Sequence, residues 1–305
     1  MRSVRLLVKL TVNLILNLAL IPVYLLVFSL TTLLAISHVF PARVSRANLR
    51  KQKNAGATTA VLGTSAVLAH YFLILIENVV FWPLGGLIIK KNHGVKNDLA
   101  NASNFAADSQ RGLAVLSAHF GNIEVTADCV YLTAVRHAHR DSRVIALAKP
   151  SKSRLATSFL TWCRRIRGLD IIQTNRKDLV RAMILGFKQR RVVALLIDQK
   201  PARSGIFVNF LGTPAAFPEG GVEIALRSQA EFVCIASRRL FPGIYTYEGR
   251  WLKEEIQSNE PVRAIMESYA AWLESLISKS PWQWCWDYKK WSRVQAPSLD
   301  TLENH

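Results

Sequence analysis

The 305-residue chain lacks any paired-cysteine motif: Cys129, Cys163, Cys234 and Cys285 stand far apart, with no CxxC and no histidine at metal-ligand spacing. That pattern suggests neither a zinc site nor a disulfide framework, and fits buried free thiols in a reducing compartment. Acidic residues are scarce, 21 against 39 Lys and Arg, giving a formal charge of +18 and a pI near 10.2. An anionic partner is therefore expected: a phospholipid surface, a phosphorylated substrate, an acidic protein or nucleic acid. No recognisable nucleic-acid module accompanies the charge, and the basic residues are spread along the chain, so no nucleic-acid partner is expected. Also missing are an internal repeat, a low-complexity linker and the GxSxG elbow of a serine acyl-enzyme.

What is present begins with hydrophobicity. No charged residue occurs from Leu10 to Ser37, and as one helix this run would extend about 42 Å, longer than a bilayer core. Asn13 and Asn17 lie inside it, Pro22 would kink it, and Arg2, Arg5 and Lys9 precede it. The run continues to Ile36 without a small-residue cleavage site, so residues 1–45 are expected to be a retained membrane anchor and not a cleaved signal. Arg43, Arg46, Arg50, Lys51 and Lys53 outnumber the basic residues before the run, which places the body, residues 46–305, in the cytoplasm. A second apolar stretch, Thr59 to Ile89, carries His70 and Glu77 on one helical face. It reads as a helix packed on the domain or lying in the interface.

From Gly112 the pattern changes. GLAVLSA, RVIALA, LDII and VVALLI are short runs apolar on both faces, separated by helical segments: one from about Asn122, one holding Trp162 and Cys163, one from Lys177 to Gln189. Such runs require a mostly parallel sheet covered by helices, an α/β layer domain. After a turn-rich DQKPARSG come the strand IFVNF, a helix from Glu219 to Arg227, strands at EFVCIAS and Ile244 to Trp251, and a helix from Pro261 to Ser278. Six of the eight tryptophans lie from Trp251 onward, and packing combined with interfacial anchoring is the reading for them.

The chemistry is read from AVLSAHFGNIE, residues 114–124. In open α/β sheets ligands gather beyond the carboxyl ends of strands, so His119 is placed for a site. Gly121 allows a tight turn, Asn122 suits an N-cap, and Glu124 falls in the first helical turn, where the macrodipole favours its ionised form. A carboxylate reaching back to one imidazole nitrogen would leave the other free to take a proton from a substrate hydroxyl. The His-x4-acid spacing also arises readily by chance, and strand-end histidines often only cap or pack.

SAHFGNIE resembles the signature of the late lauroyl and myristoyl acyltransferases of lipid A biosynthesis, within the His-x4-Glu lysophospholipid-acyltransferase-like superfamily. The resemblance extends in order through RANL (46–49), RRIRG (164–168), LLIDQ (195–199), VNFLGTPA (208–215), EFVCIASRR (231–239) and SPWQWCWDYKKW (280–291). Trp282 stands where that family usually has glutamate. The resemblance implies a glycerolphosphate-acyltransferase-like α/β domain behind an N-terminal membrane helix. It further implies His119 as general base, Glu124 as its orienting partner, and Arg165, Asp198, Gln199 and Asn122 in the substrate cleft. It implies transfer from acyl carrier protein to a phosphorylated glycolipid at the bacterial inner membrane, on the cytoplasmic face, with no cofactor and no metal. Related signatures act on other membrane glycolipids and polyenes, and the same dyad could activate water in a lipid or thioester hydrolase. FPEGG (217–221) resembles a block of glycerol-phosphate acyltransferases but follows the wrong strand, so Glu219 reads as the first turn of a helix.

Overall fold

A computed structural model describes residues 2–37, 42–53, 56–90, 111–131, 144–149, 153–201 and 205–291. The side chains of Arg2, Lys51 and Lys53 in the basic collar, and residues 202–204 of the DQKPARSG loop, lie outside what is described.

The N-terminal apolar run is not one helix. It forms α1 (Arg2–Ala19) and α2 (Ile21–Ile36), whose axes bend by 56°. Pro22 sits in the first turn of α2, where a missing N–H is tolerated, whereas inside a continuous helix it would break the ladder. Asn13 and Asn17 face inward: Asn13 Nδ2 donates to Gly86 O at 3.0 Å and Pro242 O at 3.1 Å, and Asn17 Nδ2 donates to Asn13 O at 2.9 Å. The polar residues of the run thus bolt α1 to the globular body. Leu7, Leu14, Leu18 and Leu25 are well exposed, whereas Leu16 and Leu20 pack against the core. Helix α3 (Ala42–Lys53) follows, then α4 (Ala57–Ile76), which continues into a π turn at Glu77–Phe81. Thr58–Phe81 is the one single described helix long and apolar enough to cross a membrane; α1 and α2 meet that test only as a bent pair. α4 also packs on the body, one of the two placements expected of it: Val67 and His70 are buried.

The body is a seven-stranded sheet with the spatial order β1-β9-β8-β2-β5-β3-β4. Its strands are β1 (Ile88–Lys90), β2 (Leu113–Ser117), β3 (Val144–Ala148), β4 (Leu169–Gln173), β5 (Val192–Leu196), β8 (Glu231–Phe241) and β9 (Ile244–Trp251). All pairings are parallel except β8 with β9. β2 lies at the centre with all five residues buried. Ala114 and Leu116 join the core on one face, Leu113 and Val115 the core on the other, which is why the run reads as apolar throughout. The covering helices are α5 (Ile123–Val130), α6 (Arg154–Ile166), α7 (Leu179–Lys188), α8 (Gly220–Arg227) and α9 (Pro261–Lys279).

Outside the sheet, β6 (Ile206–Phe210) pairs antiparallel with β7 (Thr213–Phe217). Leu211 and Gly212 both have positive φ, 53° and 75°, the geometry a two-residue hairpin needs to match strand twist. β7 has Pro and small residues and was not expected as a strand. Glu219 precedes α8 as its N-cap, one place earlier than the first turn assigned to it. The C-terminal tryptophans divide: Trp272, Trp284 and Trp286 are buried in the core, while Trp282 is exposed.

Candidate active site

β2 delivers His119 two residues beyond its last paired residue, and β5 does the same for Asp198. Because Ser117 registers with Leu196 across these parallel neighbours, the two side chains emerge side by side. His119 Nδ1 lies 2.8 Å from Asp198 Oδ1. Asp198 Oδ2 accepts the His119 backbone N–H at 3.0 Å and the Trp284 Nε1–H at 3.1 Å. The aspartate is 2% exposed and the histidine ring 31%.

Burial opposes charge on His119, but the field and hydrogen bond of Asp198 outweigh it and hold the imidazole above its ordinary value. Burial likewise works against ionised Asp198. The imidazolium field and the donated hydrogen bonds overcome it and keep the carboxyl below the usual carboxylate value. With Nδ1–H given to the carboxylate, the lone pair is left on Nε2 of a ring that lines the cleft, the tautomer required of a proton acceptor.

The turn after His119 is built as its sequence suggests. Gly121 has φ +63°, and a Cβ there would fall 2.0 Å from Ser237 O. Asn122 caps α5, its side-chain oxygen accepting Glu124 N–H at 3.1 Å. It is fully buried, also accepts from Asn78 Nδ2 at 3.3 Å, and is not among the residues that line the cleft. Glu124 does not reach back to His119. Its Oε1 accepts Arg164 Nε at 2.9 Å and Nη2 at 2.8 Å, tying the first turn of α5 to the last turn of α6. The carboxylate partner of His119 is therefore Asp198, although both Glu124 and His119 face the same cleft.

The arginines also sort differently from expectation. Arg164 lines the cleft, Arg165 is exposed outside it, and Arg167 is buried. The Arg167 guanidinium lies 4.3 Å from the Trp82 ring centroid and donates to Asn78 at 3.2 Å. Arg164 could have been favoured over Arg165 from sequence only by knowing how α6 is rotated. Gln199 lines the cleft.

The cleft has a volume of about 400 Å³. His119, Lys149 and Gln199, which follow the carboxyl ends of β2, β3 and β5, line it together with Glu124 and Arg164. The rest of the lining comes from α5 and the sheet, with residues such as Val115, Val130, Val144 and Leu169. Ala127, Ala146 and Ala194 keep this space open, where larger side chains would fill it. Among the described residues no three His, Cys, Asp or Glu side chains are grouped as metal ligands.

A strand-end histidine backed by a buried aspartate, above an apolar slot, is equipment for general-base chemistry on a substrate bearing a hydrocarbon chain. The family model described as bacterial lipid A biosynthesis acyltransferase matches residues 70–293. The chain belongs to this family and is an enzyme that transfers acyl groups. The matched span contains His119, Asp198 and Trp284 and leaves α1 and α2 outside it. Comparison with curated proteins gives no significant match.

Proposed function

We propose that the enzyme moves a fatty acyl chain from acyl carrier protein to a hydroxyl of a glycolipid such as a lipid A precursor, with His119 as general base and Asp198 as its orienting carboxylate. The observation that carries this reading is the 2.8 Å His119–Asp198 contact above an apolar slot. His119 Nε2 takes the proton of the acceptor hydroxyl as its oxygen attacks the thioester carbonyl. The C–S bond then breaks, and the proton passes from His119 to the departing thiolate. No acyl-enzyme is formed, and no cofactor or metal enters the scheme.

The apolar slot holds the acyl chain. Its wall along β3, from Ala148 to Val144, is about 13 Å long at about 3.3 Å per step. Lys149 and Arg164 supply positive potential in the cleft, matched to an acidic carrier protein and a phosphorylated acceptor. Residues 1–45 serve as anchor, through the exposed leucines of α1 and α2, in the bacterial inner membrane with the catalytic domain, residues 46–305, on the cytoplasmic face.

The test is mass spectrometry of lipid extracts incubated with the purified full chain and a panel of acyl carrier protein thioesters. Wild type should yield a new acylated lipid, and His119→Ala should lose about 10²–10⁴-fold in rate with the protein still folded. Free fatty acid with no acylated lipid would make the enzyme a hydrolase. Equal product from both proteins would remove His119 from the chemistry.

A further inference from the structure

The C-terminal segment after α9 is strapped across the His119 turn. Gly121 N–H donates to Gln283 O at 2.9 Å and Cys285 N–H to His119 O at 3.1 Å, so that Phe120 and Trp284 form a β-bridge. The Gln283 side chain exchanges hydrogen bonds with both backbone groups of Arg239, at 2.8 and 2.9 Å. Asn48 Nδ2 donates to the carbonyls of Trp286 and Tyr288 at 2.7 and 2.9 Å. The Trp284 ring is boxed in by Phe210, Trp286 and Trp291, with centroids 5.5, 4.9 and 6.0 Å away. Its Nε1–H cannot rotate away from Asp198 without breaking that box.

We propose that Trp284 is a positioning residue for the proposed reaction, its indole N–H fixing the Asp198 carboxylate in the orientation that holds His119. The inference rests on the general-base reading of His119. Among the described residues Asp198 Oδ2 has two donors, one of them the backbone of His119 itself, and the indole ties the carboxylate to a separate part of the chain. An indole suits the task because it is a donor only and does not titrate. Removing it leaves a buried anion short of one hydrogen bond. The carboxylate's charge then bears more heavily on His119, so the imidazole should hold its proton to higher pH.

Other ionisable groups surround the pair. Cys285, Asp287, Tyr288 and Lys290 face it from the strap and Tyr269 from α9. Glu124 and Arg164 share the cleft. None is altered by a substitution at 284.

The experiment compares the full chain with Trp284→Phe, which keeps an aromatic ring and deletes the donor. The titration of His119 is followed by NMR of histidine-labelled protein without substrate, and kcat and KM are measured across pH. The His119 midpoint should rise by about half to one pH unit, and kcat should fall about tenfold to a hundredfold, with KM within about twofold. In an Asp198→Asn background the same substitution should cost less than about twofold, because the group it acts through is gone. If Trp284→Phe does not fold, 3-benzothienyl-alanine at 284 keeps the ring's shape without the N–H and carries the same expectations. An unmoved His119 titration with an additive loss in the Asp198→Asn background would overturn the proposal and leave Trp284 a packing residue. A shifted titration in a protein that transfers no acyl group would instead sink the functional reading while the Trp284–Asp198 coupling stands.

Discussion

His70 and His119 each have a glutamate a short way along the chain, Glu77 and Glu124, and neither takes that glutamate as its partner. His70 and Glu77 both grip Arg239: Arg239 donates to Glu77 through Nε and Nη2 at 2.7 Å and meets His70 Nδ1 through Nη1. His70 Nε2 is also occupied, 3.1 Å from Gly121 O. Glu77 further accepts from Gly243 N at 2.9 Å and from Tyr245. This cluster is closed: both ring nitrogens are engaged and the carboxylate is fully buried. At His119 one nitrogen is fixed by a buried carboxylate, the other keeps its lone pair, and the ring lines a cleft. A histidine with both nitrogens spent fastens parts of the fold together, whereas one with a directed free lone pair can move a proton.

Substitutions can break or sharpen this contrast. The deepest kinetic loss is expected for Asp198→Asn, about 10²–10⁴-fold in kcat/KM, with the protein still folded. The pH profile gives the sign. Asp198 raises the His119 value, so wild-type activity should climb only as pH passes above the ordinary imidazole value of 6.5. Without the anion that limb should move to lower pH, and a limb that stays put would deny the pairing.

Glu77→Ala should act on the fold instead. Breaking a buried ion pair and stranding Arg239 should cost about 3–5 kcal/mol, read as a lowered midpoint in denaturant, while the fraction that remains folded keeps its activity. Loss of activity without loss of stability would give the closed cluster a catalytic part it lacks here.

A smaller effect is expected at Glu124. Since it holds Arg164, Glu124→Gln and Arg164→Gln should each cost about tenfold, and the double variant little more than either alone. A Glu124→Gln loss as deep as that of Asp198→Asn would restore Glu124 as the partner of His119. Smallest of all, Arg165→Ala should stay within about twofold in activity, as befits an exposed side chain; a larger loss would bring Arg165 into substrate binding.

Much of the fold was legible because local physics sets it. Runs apolar on both faces marked β2 to β5, since a parallel sheet buries both faces, and the Gly121-Asn122 pair marked the turn and cap after β2. β7 was not legible, because Pro214 and its alanines carry little strand signal and only pairing with β6 makes them a strand. Within the site, His119 stood out by its position at a strand end. Its partner did not, because Asp198 lies 79 residues away and is brought near by strand register.

Local sequence alone is enough to define a basic α/β protein with an apolar N-terminal run and a histidine at the carboxyl end of a strand, because periodicity, capping and charge are properties of neighbouring residues. Tertiary structure decided that Asp198 backs His119 while Glu124 pairs with Arg164. It also decided that Arg164, and not Arg165, faces the cleft, and that the N-terminal run bends by 56° around polar bolts to the body. Each of these depends on the register of two strands, the rotation of a helix about its axis or the docking of one element on another. Those are set by the simultaneous packing of segments far apart in the chain, which no local pattern encodes.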